Sequence, residues 1–135
     1  MSEAHKNIVR RLVDEAQTRG NLAVVDEILA DDFVDHSPLA GLPPTREGVK
    51  ILFAGLKAGF PDLAVTIDEQ VAEGEKVVTR KTFRGTHGGE FLGVPATGRP
   101  VAWEVIDILT FRGERIVEHR VILDQLGLMK QLGAM

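Results

Sequence analysis

The sequence predicts an α+β domain in which helices come first and an antiparallel sheet follows. Two observations carry this expectation. Apolar residues recur at helical spacing up to Phe60-Pro61 and at alternating spacing after it. The later segments are joined by short hairpin turns rather than by helices, which argues against βαβ units.

The elements follow in order. Ile8, Val9, Leu12, Val13 and Ala16 make one helix face between Ser2, an N-cap, and Gly20, a stop. Asn21 caps a short second helix carrying Leu22, Val25, Ile28 and Leu29, which Asp31-Asp32 breaks. Phe33 to His36 is a brief extended segment, and Ser37 to Pro44 a loop. Thr45 opens a third helix with Val49, Leu52, Phe53, Leu56 and Phe60 on its core face, and Pro61 ends it. Strands are expected from Leu63 to Ala72, Lys76 to Arg84, Pro100 to Phe111 and Arg115 to Leu123. Asp124 caps a closing helix containing Leu126, Leu128, Met129 and Leu132.

Composition narrows function by exclusion. The 135 residues fit one domain spanning residues 1–135, and the net charge of −4, without a basic stripe, favours neither nucleic acid nor an anionic membrane. No cysteine is present, which removes disulfides, thiolate nucleophiles and cysteine-ligated metals. No tyrosine is present either, so no phenol serves as acid, base or donor. The N-terminus lacks the apolar core of a signal peptide and no apolar run reaches membrane-spanning length, so a cytoplasmic location is expected. Four scattered histidines with no i, i+4 pair give no metal site.

The stretch from Gly85 to Arg99 holds five glycines and one proline, too many for a regular element. Phe91, Leu92 and Val94 give it apolar anchors, so an ordered flap at a pocket mouth is expected, with Phe91 or Leu92 touching the body. Nucleotide-binding glycine spacing is missing.

The chemistry lies on the last two strands. Val101, Trp103, Val105, Asp107, Leu109 and Phe111 share a face, and Asp107 is its single polar member. Val117, His119, Val121 and Leu123 share a face of the next strand, with His119 the polar exception. If both faces point inward, Asp107 and His119 meet in one cavity, where a carboxylate orienting a histidine makes a general base. Buried Asp–His pairs also serve as plain structural hydrogen bonds. Asp35 and His36 either line the site or cap the next turn. His87 reads as a surface or loop-bracing histidine rather than a ligand, and His5 as solvent-facing. Ile106, Ile108, Ile116 and Ile122 on the outer faces are too apolar for water, so a homodimer through the sheet is expected.

The run GTHGGEFLGVPATGRPV at residues 85–101 resembles the GTH-x-G-x-F-x-G-x-P-x-TG pattern of the SnoaL-like polyketide cyclases. Phe60-Pro61-Asp62, Asp32-Phe33-Val34-Asp35-His36 and IVEHRVILDQLGLMKQLG at residues 116–133 are similar to that family too. The resemblance implies the nuclear-transport-factor-2-like fold, a cone of strongly curved antiparallel sheet packed on N-terminal helices around a pocket. It also implies ring closure of a small apolar carbonyl compound by intramolecular aldol addition, without metal or cofactor. By the same resemblance the family's pocket histidine falls on His119, its pocket histidine on the preceding strand on Asp107, a glutamine on Val105, and an asparagine on Asp35. The family's acid/base aspartate falls on Val121, which cannot transfer a proton. Either Asp107 has taken over that role or the pocket does another job. The expected catalytic residues are therefore Asp107 and His119, with Asp35, His36, Trp103, Val105, Val121, Leu123 and Phe91 binding the substrate. The alternatives are a non-catalytic protein that holds a small hydrophobic molecule, and an epoxide hydrolase of the limonene type using Asp35, Arg80 and Asp107.

Overall fold

The helix-to-sheet change falls at Phe60-Pro61 in the computed structural model, which describes residues 2–134. The first helix, α1 (Ser2–Arg11), runs on through wider π-helical turns over Leu12–Thr18 and stops where Gly20 adopts φ 81°. The Ser2 side chain, expected as the N-cap, lies outside the described residues. Then come α2 (Ala23–Ile28), β1 (Leu29–Asp35), α3 (Arg46–Gly59), β2 (Ala64–Glu73), β3 (Lys76–Thr86), β4 (Pro100–Arg112), β5 (Arg115–Leu123) and α4 (Gln125–Gln131). The expected Asn21 side-chain cap is absent, since Asn21 contributes only its carbonyl to Val24. Asp124 caps α4 as expected, its carboxylate accepting from Gly127 N at 2.9 Å.

The sheet order is β1-β5-β4-β3-β2, with β2 to β5 an antiparallel meander. The first strand departs from expectation. It starts at Leu29, within the segment expected as helix, and adds to β5 in parallel, so the sheet is mixed. No helix among the described residues is long and apolar enough to cross a membrane.

Two further expectations are corrected. His5 is not solvent-facing: it is 2% exposed, stacks on Phe111 at 4.1 Å, and its Nε2 lies 2.8 Å from the Gly113 carbonyl. The reason is helical arithmetic, because His5 stands four residues before Val9 on the stripe that meets the β4–β5 hairpin. Ile116 does not face outward either. A register shift between Thr110 and Phe111 places Phe111 opposite Ile116, and Ile116 is wholly buried.

The segment between β3 and β4 is pinned at its stem. His87 is fully buried, with Nδ1 3.0 Å from Thr97 Oγ1, and Gly88 N and Gly89 N both donate to the Gly59 carbonyl. At its tip Phe91 and Val94 exchange both backbone hydrogen bonds across Leu92 and Gly93, whose φ values are 52° and 77°. Positive φ at both central positions is the type I′ turn geometry.

Candidate functional site

A cavity of about 330 Å³ lies between the inner sheet face, α1 with its π-helical extension, α3 and the tip of the flap. The register lays out its sheet wall. One row across β3, β4 and β5 reads Val77, Leu109 and His119, and β1 extends it with Asp35 opposite His119. The next row reads Thr79, Asp107 and Val121, and the third Lys81, Val105 and Leu123. Trp103 and Phe83 follow, stacked with ring centroids 5.2 Å apart. From the helices come Val9, Leu12, Gln17, Val49, Phe53 and Leu56, and from the flap Phe91 and Leu92.

Of the residues singled out from the sequence, Asp35, Phe91, Trp103, Val105, Asp107, His119, Val121 and Leu123 all border this cavity. His36 is not among the lining residues. It follows Asp35 by one position and so turns to the other face, where Nε2 lies 3.4 Å from Glu118 Oε1. Arg80 also points outward, bonded to Glu69 at 2.8 Å and Glu104 at 3.2 Å, so the Asp35–Arg80–Asp107 arrangement is not assembled.

Asp107 and His119 share the cavity but do not pair with each other. Asp107 stands opposite Val121 and His119 opposite Leu109, which makes them diagonal neighbours, with Cα atoms about 7–8 Å apart in such geometry. Each has found a nearer partner. Asp107 Oδ2 takes an ion pair from Lys81 Nζ at 2.7 Å, and Lys81 also donates to Gln17 Oε1 at 3.3 Å. His119 Nδ1 lies 3.0 Å from Asp35 Oδ1, which accepts a second bond from Ser37 N at 2.9 Å.

The electrostatics of the second pair are directional. Burial pushes the Asp35 carboxyl up, but the His119 hydrogen bond, the His119 charge, the Ser37 amide and His36 together hold it below the ordinary carboxylate value. Asp35 is therefore an anion at neutral pH and accepts a proton-bearing Nδ1. In the neutral form of His119 with its proton on Nδ1, the lone pair lies on Nε2. The arrangement can take a proton from a bound molecule and return it.

Sequence reasoning missed Lys81, Gln17 and Ser37. The signal for Lys81 was present, since Val77, Thr79, Lys81 and Phe83 alternate on the buried face of β3. The signal for Gln17 was present too, since it stands four residues after Val13 on the stripe that is buried. No cluster of three or more His, Asp or Glu placed to hold a metal occurs among the described residues.

The family model for SnoaL-like polyketide cyclases matches residues 7–132. The chain belongs to the SnoaL-like polyketide cyclases. A curated relative, the aklanonic acid methyl ester cyclase DnrD of Streptomyces peucetius, is 31% identical over 94% of this chain and 89% of its own. Among solved structures, TsrD from Streptomyces laurentii superposes with a TM-score of 0.91 at 29% identity, covering 100% of this chain and 98% of that one. IdmH from Streptomyces antibioticus, described as a candidate polyketide cyclase, does so with a TM-score of 0.82 at 37% identity, covering 96% and 98%. As a SnoaL-like chain, this one carries valine at the position that the resemblance assigns to the acid/base aspartate, between its two cavity ion pairs.

Proposed function

We propose that this SnoaL-like protein closes a ring in a small, largely apolar carbonyl compound by cofactor-independent aldol addition. The observation that supports it is the His119–Asp35 contact at 3.0 Å in the wall of an otherwise apolar cavity. His119 Nε2 takes the proton from a carbon between two carbonyls. The enolate carbon then bonds to a second carbonyl of the same molecule, and the imidazolium returns its proton to the new alkoxide. No atom is lost, so the product is an isomer. Proton transfer thereby sits two residues from Val121, on a histidine whose partner is a carboxylate where the resemblance places asparagine.

Aklanonic acid methyl ester, the compound in the curated relatives' names, is a suitable first substrate beside simpler polyketo esters. We expect a ring-closed product of unchanged mass by chromatography. His119→Ala and Asp35→Asn should lower its rate by about two to four orders of magnitude with folding intact. Turnover undiminished in both variants would overturn the assignment.

Val121 favours a second reading, a pocket that holds such a molecule without transforming it. Val121→Asp separates the two: a gain of cyclisation marks a cyclase pocket, and none in a folded variant marks a binding protein. On the outer face, Ile122 and Ile106 stand opposite one another, 78% and 46% exposed, with Val71 at 60% two strands from Ile106. We propose that a second copy covers this face, and a monomer mass in light scattering at micromolar concentration would exclude it.

A further inference from the structure

Lys81 is the only lysine or arginine among the described residues that line the cavity, and its hydrogen bonds do not exhaust it. An ammonium carries three N–H groups. Asp107 Oδ2 takes one at 2.7 Å and Gln17 Oε1 a second at 3.3 Å. The Phe83 ring centroid, 5.5 Å away, offers an aromatic face but no lone pair. One N–H thus remains for a ligand in a wall otherwise dominated by apolar side chains, where a donor is worth far more than in water.

We propose that Lys81 is the group that stabilises the enolate oxygen, donating its third N–H to the carbonyl whose α-proton His119 removes. This rests on the aldol reading of the same cavity. The placement supports it. Lys81 reaches diagonally from its row to Asp107 in the next one, and Asp107 is in turn the diagonal neighbour of His119 across Val121. Base and donor therefore stand on two sides of the same valine. Proton removal creates negative charge on an oxygen, and a fixed ammonium answers it without reorganisation.

Asp107 has the complementary part. Its Oδ1 is buried without a protein donor among the described residues, so the carboxylate tethers the lysine from one side only. A purely structural pair would be expected to saturate both partners.

The test uses binding and colour rather than turnover. 4-Nitrophenol is small, aromatic and changes absorbance when its oxygen becomes an anion, which makes that oxygen a mimic of the enolate. The half-ionisation pH of the bound probe is read in the wild-type protein and in Lys81→Met/Asp107→Leu, which removes both charges together and so protects folding. The expected result is a half-ionisation pH at least about one unit lower in the wild type than in the double variant, a tenfold preference for the anion. Equal values, or a lower value in the double variant, would overturn the proposal, since Lys81 would then be spent on Asp107 and Gln17. The absence of any bound signal in the wild type at high probe concentration would overturn it too. If the shift appears while His119→Ala leaves turnover unchanged, the aldol reading fails and the oxyanion site at Lys81 stands.

Discussion

The two ion pairs in the cavity wall use the same kind of contact in different surroundings. Lys81 and Asp107 occupy the adjacent interior strands β3 and β4, and their side chains are 5% and 4% exposed. His119 and Asp35 lie where β5 meets the edge strand β1, and theirs are 19% and 8% exposed. Asp35 is satisfied twice on one oxygen, by imidazole and by the Ser37 amide. Asp107 is satisfied once and keeps a bare oxygen. The ammonium can only donate, whereas a neutral imidazole has one nitrogen that donates and one that accepts. Position in the sheet thus sorts one pair towards fixed electrostatics and the other towards proton transfer.

The largest expected effect breaks this comparison at the central pair. Asp107→Leu alone leaves a buried ammonium without its carboxylate and should cost about 3–5 kcal/mol in urea unfolding. Lys81→Met/Asp107→Leu removes both charges and should fall near the wild type or above it. A single variant as stable as the double one would mean that water reaches Lys81 after all, and the contrast with His119 would dissolve.

The unequal legibility of the two pairs has a physical cause. Alternation along β4 singled out Asp107, and alternation along β5 singled out His119, because each is the polar exception on an apolar face. Their partners depended on longer reach. Lys81 reaches diagonally to a residue in the neighbouring row of the next strand, which a pattern within one strand cannot report. Asp35 arrives through a parallel edge strand that begins inside a segment of helical spacing. Ile116 shows the same limit in another form, since one register shift reverses the face that alternation assigns. His5 was misread as solvent-facing, although the spacing to Val9 already placed it on the core stripe. The flap was legible from its glycines and apolar anchors, but the turn at its tip was not. Leucine is a poor guide to a positive φ.

That tip gives the smallest expected effect and completes the contrast between rigid wall and adjustable wall. Leu92 is the one non-glycine residue with positive φ among those described, and its side chain borders the cavity. A leucine held at φ 52° carries backbone strain of about 1–2 kcal/mol that glycine would not. Leu92→Gly relieves that strain but gives up apolar contact with the cavity and adds freedom to the unfolded chain. These contributions oppose one another, so thermal unfolding should move by no more than about 1 kcal/mol in equivalent stability. The stem, held by His87 and the Gly59 carbonyl, should keep the flap in place. What should change is the cavity. Losing one lining side chain at the tip should widen the range of methyl ketone chain lengths that bind, read by calorimetry across a homologous series. A wild-type chain-length profile in Leu92→Gly would show that the leucine only anchors the flap. A stability loss of several kcal/mol would show instead that the tip is as rigidly built as the wall that carries Lys81 and Asp107.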